Sequence, residues 1–220
     1  MKALYNSPRL NNKDDPLDEL FFILLSQMTT GPSYERVFDR LREAVSTWDD
    51  LANMSVFDLR AVIADAGLVN QKAPRFIEIA RRLKRDFGTV TLAPLAAYSD
   101  DEAEGYLMSL PGVGRKTAKC VMMYAMGRAV LPVDTHVARV ARRLGLIDER
   151  TPVGRLHSAL EGVIAPELRY DFHVNAIAHG RVVCRAHFPK CSACQISSLC
   201  PTGRGARASP KQGIQLTAAS

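Results

Sequence analysis

Apolar residues recur at three- and four-residue spacing along nearly the whole chain, which is the periodicity of α-helices that bury one face. Four segments illustrate the pattern: Leu17, Leu20, Phe21, Leu24 and Leu25; Tyr34, Val37, Phe38 and Leu41; Val137, Val140, Ala141 and Leu144; Val153, Leu156, Leu160 and Val163. No stretch alternates apolar and polar residues with the period of two that strands require. The sequence therefore predicts an all-α fold of about ten helices.

The composition limits the classes of protein to which the chain can belong. Of its 220 residues, 47% are hydrophobic, which is enough for one good core or two modest ones. The formal net charge of +6 favours a polyanionic partner, although a solvated basic surface explains it about as well. Because no apolar run reaches the roughly 18 residues that span a bilayer and residues 1–12 lack a signal-peptide core, we expect a soluble, cytoplasmic protein without membrane contact. A monomer is the default expectation.

A glycine-rich turn at residues 110–114 (Leu-Pro-Gly-Val-Gly) separates two predicted helices, at about 102–109 and 115–126. Gly112 and Gly114 allow a tight turn and expose backbone amides beside a helix N-terminus, where a phosphate oxygen can dock. Such a contact would hold DNA without reading its sequence. An ordinary helix–turn–helix connection is the competing interpretation.

Lys116 follows this turn, in the first turn of the second predicted helix. A neutral lysine amine is a nucleophile that can attack a sugar carbon. A solvated surface lysine is the alternative interpretation, and the turn and the lysine alone do not separate the two.

Four of the five cysteines lie close together in the sequence, with the spacing Cys-x6-Cys-x2-Cys-x5-Cys: Cys184, Cys191, Cys194 and Cys200. Four thiolates can converge on one centre, and they suit either a tetrahedral zinc ion or an iron–sulfur cluster. We predict a metal site of one of these kinds. The fifth cysteine, Cys120, is predicted to be a small buried residue of a helix.

Three motifs in order, residues 110–118, the Val-Asp-Thr-His segment at 133–136 and the four cysteines, closely resemble the endonuclease III family of helix-hairpin-helix DNA glycosylases. The resemblance covers roughly residues 16–200. It implies two helical lobes with a DNA-binding cleft between them. One lobe would comprise residues 17–128 and the other residues 1–16 plus 129–200, which would hold a [4Fe-4S] cluster on the four cysteines. The Gly-, Ser-, Ala- and Arg-rich composition of 201–220 predicts a disordered tail.

The same resemblance implies a bifunctional DNA glycosylase and abasic-site (AP) lyase of base excision repair, acting on nucleoid DNA that contains an oxidised pyrimidine such as thymine glycol or an abasic site. Lys116 and Asp134 are the implied catalytic residues, and Asp134 is also a candidate N-cap of the helix that starts at Thr135. The implied DNA contacts are Gln27, Leu68, Leu110, Gly112, Val113, Gly114, Arg115 and His136.

Several positions near the implied lesion pocket depart from the family's common residues, among them Met28, Val69 and Lys119. These departures bear on which lesion the protein prefers. The alternatives are a monofunctional mismatch or adenine glycosylase, against which Lys116 argues, and a noncatalytic DNA-binding protein with a structural cluster. A redox-sensing role for the cluster is a further possibility.

Overall fold

The computed structural model describes residues 1–29 and 33–208, with the backbone alone at 206–208. Within this part of the chain the secondary structure is entirely helical, as the apolar periodicity predicts. The α-helices are α1 Lys2–Tyr5, α2 Pro16–Ser26, α3 Ser33–Glu43, α4 Trp48–Asn53, α5 Val56–Val62, α6 Val69–Phe87, α7 Asp100–Ser109, α8 Arg115–Tyr124, α9 Thr135–Arg143, α10 Leu156–Glu161, α11 Arg169–Val182 and α12 Pro201–Ala208. Short 3₁₀-helices cover Ala93–Ala97, Val153–Arg155, Pro166–Leu168 and Cys191–Ala193.

The chain divides into two compact units. Arg9–Pro132 forms one, the continuous unit, and Met1–Pro8 together with the chain from Val133 onward forms the other, the split unit. The family resemblance implies a first lobe boundary at residue 17, whereas Asn12 and Lys13 hydrogen-bond to Glu19 of α2 at 2.6 and 2.7 Å. These bonds attach the segment before α2 to the continuous unit.

Helix α2 is the centre of the continuous unit, and it packs against α3, α6 and α8. Nearly all of its side chains are buried, which is expected of a helix surrounded by others. The Phe21 ring lies between Trp48 and Phe76, with ring centroids 4.6 and 4.8 Å away. These aromatic contacts join α2 to α4 and α6.

In the split unit, α9 and α11 pack on each other. Each helix contributes apolar residues to the core, and Val137, Val140, Val174 and Ile177 are all buried. Residues from the start of the chain complete this pair, because α1 packs on α11. Lys2 forms an ion pair with Asp171 at 2.6 Å.

Part of the predicted disordered tail is helical. Residues 201–208 form α12, which packs on the 3₁₀-helix Cys191–Ala193 and on α9. Gly203 allows the approach, because a Cβ at this position would lie 3.0 Å from the Ser197 backbone. The prediction of disorder is therefore wrong for 201–208, and the rest of the predicted tail, 209–220, lies outside the described residues.

None of the helices in the described ranges combines the length and the apolar character needed to cross a membrane.

Candidate active site

The turn at residues 110–114 joins α7 to α8, as the sequence predicts, and it is closed by a hydrogen bond from the Val113 amide to the Leu110 carbonyl at 3.2 Å. Gly112 adopts a left-handed conformation with φ of 76°, and a Cβ there would lie 3.1 Å from Cδ of Arg75. Glycine is therefore favoured both by conformation and by space. Leu110 and Val113 are buried, so DNA contacts at these two predicted positions would involve the backbone.

Glu104 of α7 ties the two helices of this hairpin together. One carboxylate oxygen accepts from Nε of Arg115 at 2.6 Å, and the other lies 3.0 Å from Nζ of Lys119, which is buried. Helix α8 begins at Arg115 after Gly114, which has no side chain to cap it. A helix N-terminus of this kind is suited to an anion.

Lys116 is exposed in the first turn of α8, next to this hairpin. The same unit contains Glu19, a fully buried carboxylate of α2. Burial raises the pKa of Glu19 to about 7, and the hydrogen bonds from Lys13 and Asn12 and the positive charges of Lys116 and Lys13 oppose the rise. Glu19 therefore lies within electrostatic reach of Lys116.

Gln27, a predicted DNA contact, lies at the C-terminal end of α2 and reaches the first turn of α8. Its side-chain amide donates to the Thr117 hydroxyl at 3.4 Å. Because Thr117 follows Lys116, the structure brings Gln27 next to the turn that carries the predicted nucleophile.

Leu68, a predicted DNA contact, immediately precedes α6. Its side chain is 46% exposed, although its apolar character alone would suggest a buried core residue. The neighbouring Gly67 amide donates to the Thr29 hydroxyl at 3.0 Å. The loops that carry Gln27 and Leu68 are therefore in direct contact.

A buried lysine, Lys72, holds the same region together. Its ammonium donates to the carbonyl oxygens of Leu25 and Gln27, at 2.7 and 2.5 Å, and to the Thr29 hydroxyl at 3.1 Å. Burial lowers its pKa to about 8. Lys72 thereby caps the C-terminal end of α2 and fixes the loop that follows.

In the split unit, Asp134 is the N-cap of α9, as expected from the sequence. Its carboxylate accepts from the Val137 amide at 2.7 Å. His136, in the same turn, lies 3.0 Å from the Arg139 guanidinium. A Cβ at Gly180 would come within 2.9 Å of the His136 Cβ, so the glycine of α11 makes room for this histidine.

The four predicted cysteine ligands line one cavity of the split unit, between α9, α11 and α12. Burial raises the pKa of Cys191, and the proximity of Cys184, Cys200 and Cys194 raises it further. None of the five cysteines is in a disulfide. Within the described ranges, no group of three or more His, Cys, Asp or Glu side chains has the arrangement of a site for a single metal ion.

Donor groups point at two of these sulfurs. Nη1 of Arg143 lies 3.3 Å from Cys184 Sγ, and the Gly203 amide lies 3.4 Å from Cys200 Sγ. Hydrogen bonds to sulfur are typical of iron–sulfur sites, where they influence the reduction potential. Four soft sulfur ligands around one cavity, with N–H groups directed at them, fit an iron–sulfur cluster.

Sequence reasoning missed Glu19 and Lys72. The signal was present for both, since Glu19 interrupts the apolar run of α2 and Lys72 lies four residues before Phe76 on the apolar stripe of α6. A charged residue at a core-facing position needs an internal partner, and both have one.

Comparison with known proteins identifies the relatives of this chain. The model of the HhH-GPD superfamily of base excision DNA repair proteins matches residues 22–166. The endonuclease III of Thermotoga maritima is 33% identical over 193 residues, which cover 88% of this chain and 86% of the relative. The chain belongs to the endonuclease III family.

Solved structures of endonuclease III agree with this assignment. A non-covalent endonuclease III–DNA complex matches with a TM-score of 0.80 and 28% identity, covering 94% of both chains. A trapped endonuclease III–DNA covalent intermediate matches with a TM-score of 0.78 and 29% identity, covering 94% of this chain and 93% of the other. This member of the endonuclease III family is thus a base excision repair enzyme of the DNA glycosylase and AP lyase class.

Proposed function

We propose that this endonuclease III family member binds duplex DNA, removes oxidised pyrimidines such as thymine glycol, and nicks the resulting abasic site through a Schiff base on Lys116. The observation that carries the proposal is the position of Lys116, exposed in the first turn of α8 and flanked by the hairpin and by Gln27. The covalent DNA intermediate solved for a relative supports a nucleophilic mechanism of this kind.

The chemistry requires the damaged nucleotide to leave the base stack, because the sugar C1′ is not accessible within a duplex. The neutral amine of Lys116 attacks C1′, the C1′–N bond breaks, and the base leaves with its bonding electrons and takes up a proton. The sugar ring opens to give a Schiff base between Lys116 and C1′. Loss of a C2′ proton then breaks the C3′–O bond, which nicks the strand, and water releases the lysine.

Asp134 is proposed to stabilise the positive charge that develops on the sugar or to take the proton from Lys116. Its role as N-cap of α9 leaves one oxygen engaged with the Val137 amide and is compatible with this function. Gln27, Leu68 and His136 are proposed to enter the duplex or line the space that the flipped base leaves, and an apolar residue such as Leu68 can hold a kinked duplex open.

The hairpin is proposed to bind the DNA backbone. Exposed Gly112 and Gly114, with Arg115 beside them, present amides and a cation to a phosphate, while buried Leu110 and Val113 keep the turn rigid. Because phosphate contacts release counterions, affinity should fall steeply with salt. We propose that the protein acts as a cytoplasmic monomer on nucleoid DNA.

Cys184, Cys191, Cys194 and Cys200 are proposed to hold a [4Fe-4S] cluster. The cluster would cross-link the segment after α11 to α12 and supply no step of the base-removal chemistry. Arg143 would bridge this segment to α9, since it donates to Cys184 Sγ and to the Arg185 carbonyl at 2.7 Å.

Borohydride trapping tests the proposed function. Purified protein is incubated with duplexes that carry thymine glycol or an abasic site, and reduction makes any Schiff base permanent. Wild type should become joined to both duplexes. Lys116→Gln should lose the covalent product yet still bind the DNA. Lys84→Gln, which changes a half-buried lysine of α6 that pairs with Asp49, should behave as wild type.

The pattern of trapping identifies any error in the proposal. Trapping by Lys116→Gln removes Lys116 from the mechanism. If wild type is trapped on the abasic duplex but not on the thymine glycol duplex, the protein is an AP lyase that removes a base lesion other than thymine glycol. Base release without trapping on either duplex indicates a monofunctional glycosylase.

A further inference from the structure

The first helix of the chain reaches one of the proposed cluster ligands through a buried histidine. The Tyr5 hydroxyl lies 2.8 Å from Nδ1 of His179, and Nε2 of the same ring lies 3.8 Å from Sγ of Cys194. The Tyr5 and His179 rings also meet edge to face, with their centroids 5.8 Å apart. His179, in α11, is 3% exposed. The three side chains therefore form a chain of polar contacts from α1 to the cysteine cavity.

The chemistry of a cysteine ligand determines the direction of both hydrogen bonds. A cysteine that binds iron is a thiolate without a proton, so Cys194 Sγ can only accept. Nε2 of His179 must then carry a proton and donate, since its lone pair would otherwise face an electron-rich sulfur. Burial disfavours the charged imidazolium, and in the neutral ring Nδ1 is then an acceptor. The Tyr5 hydroxyl therefore donates to Nδ1 and fixes the tautomer of the histidine.

Contacts on both sides of Tyr5 hold it in this position. Lys2 pairs with one oxygen of the Asp171 carboxylate at 2.6 Å, and the Ser7 hydroxyl donates to the other oxygen at 2.6 Å. The Ser7 amide donates to the Asn175 side chain at 3.1 Å. A helix of four residues has little stability of its own. The network with α11 therefore positions the phenol.

We propose that Tyr5 is a positioning residue of the cluster site, which acts through His179 to maintain a hydrogen bond to Cys194 and thereby raises the reduction potential of the cluster. The inference rests on the proposed [4Fe-4S] cluster. It assigns a role in that site to the first helix of the chain, which none of the three sequence motifs includes.

A hydrogen bond to a ligand sulfur changes the potential because the reduced cluster carries one more negative charge than the oxidised cluster. The donor therefore stabilises the reduced form more strongly, and such bonds are among the factors that set cluster potentials. N–H groups already point at two other ligands, Cys184 and Cys200, and His179 extends this arrangement to a third. The contact from His179 differs from these two because its donor depends on the tautomer that Tyr5 selects.

Voltammetry of the purified, iron-loaded protein is the direct test. Tyr5→Phe keeps the aromatic ring and removes the hydroxyl, so the histidine tautomer is no longer fixed and the hydrogen bond to Cys194 weakens. We expect the potential of the one-electron couple to fall, because the reduced cluster loses stabilisation. The expected change is about ten-fold in the ratio of oxidised to reduced cluster at a given potential, or about 59 mV. Iron content and visible absorption should stay as in wild type, because all four ligands remain.

Two further variants show whether Tyr5 acts through the histidine. His179→Gln supplies an amide N–H in place of Nε2–H, and this donor needs no tautomer to be selected. Adding Tyr5→Phe to His179→Gln should therefore leave the potential unchanged. Tyr98→Phe, which removes a half-buried phenol hydroxyl from the continuous unit, should match wild type.

The inference is overturned if Tyr5→Phe binds iron and has the wild-type potential. It is also overturned if Tyr5→Phe lowers the potential equally in the His179→Gln background, since Tyr5 would then act by another route. Loss of iron from Tyr5→Phe alone would give the phenol a role in holding the cluster instead of setting its potential. Wild type without iron would overturn the cluster assignment together with this inference. Base removal and nicking are judged separately, by trapping with Lys116→Gln.

Discussion

Glu19 is a carboxylate in the interior of the continuous unit, in the first turn of a helix whose remaining length is almost entirely apolar. Its two oxygens accept from the Asn12 side chain and the Lys13 amide, yet burial still raises its pKa to about 7. The folded protein therefore binds a proton at Glu19 more readily than the unfolded chain does.

This difference predicts how stability depends on pH. Between the unfolded value of 4.5 and the folded value of about 7, the folded state binds more protons, so the free energy of unfolding falls as pH rises through this window. The contribution of Glu19 protonation to the free energy of unfolding is complete at low pH and is lost above about pH 7. Its size is on the order of 3 kcal/mol. In Glu19→Gln this part of the pH dependence should disappear.

Urea unfolding at about pH 5 and about pH 8 measures the effect. Glu78→Gln, which removes an exposed carboxyl of α6, is the control and should keep the wild-type slope. An unchanged slope in Glu19→Gln would mean that Glu19 titrates alike in the folded and unfolded states.

The neighbouring sequence predicts the position and role of some site residues but not of others. The position of Lys116 in the first turn of α8 and the N-cap role of Asp134 follow from local signals, namely the glycine turn and the aspartate that precedes a helical run. The exposure of Met28 and Leu68 does not follow locally. Their exposure depends on contacts with Gly67 and Lys72, which are some 40 residues away from Met28 in the sequence. An apolar pattern by itself would assign Met28 and Leu68 to the core.

Among the elements, α7 has the clearest N-terminal signal. Ser99 forms a capping box with Glu102: the serine hydroxyl accepts from the Glu102 amide at 3.3 Å, and the Glu102 carboxylate accepts from the Ser99 amide at 2.8 Å. The cap anchors the helix that leads into the hairpin.

Ser99→Ala should lower the free energy of unfolding by about 1 kcal/mol, because it removes one acceptor for an unpaired helix amide. Ser99→Asp, which retains an acceptor, should stay close to wild type. Both can be measured by urea unfolding, with trapping on an abasic duplex as a second readout that should not change. A loss of trapping in Ser99→Ala at full folding would show that the cap affects the hairpin beyond stability.

Helix ends follow from the sequence where a capping residue marks them. Asp15 accepts hydrogen bonds from the Leu17 and Asp18 amides at the start of α2, and Ser55 accepts one from the Asp58 amide at the start of α5. Helix α12 was not predictable, because its Gly- and Arg-rich sequence lacks an apolar stripe. It forms where it can pack on α9 and the segment of Cys191–Ala193, and composition alone does not indicate such tertiary support.

For the whole molecule, the proposed cluster predicts a stability difference between the two units. Cys191→Ala should lower iron content and destabilise the split unit, because the segment after α11 has little regular secondary structure of its own. The continuous unit should be unaffected. An iron assay would measure the metal content, and limited proteolysis with mapped cleavage sites would measure the stability of each unit. New cleavage sites should fall after Val133.

Cys120→Ala is the matched control, since Cys120 is buried in α8 of the continuous unit. It should keep its iron and its resistance to protease after Val133. Full iron occupancy in Cys191→Ala would contradict the ligand assignment.

The contacts of the first eight residues determine the order in which a nascent chain can fold. Tyr5 hydrogen-bonds to His179 at 2.8 Å and Ser7 to Asp171 at 2.6 Å, so their partners leave the ribosome 174 and 164 residues later. At a synthesis rate of roughly 5–20 residues per second, the start of the chain stays unpaired for about 10–30 s. The continuous unit can complete its core during that delay, so residues 1–8, although synthesised before that unit, reach their final position after it.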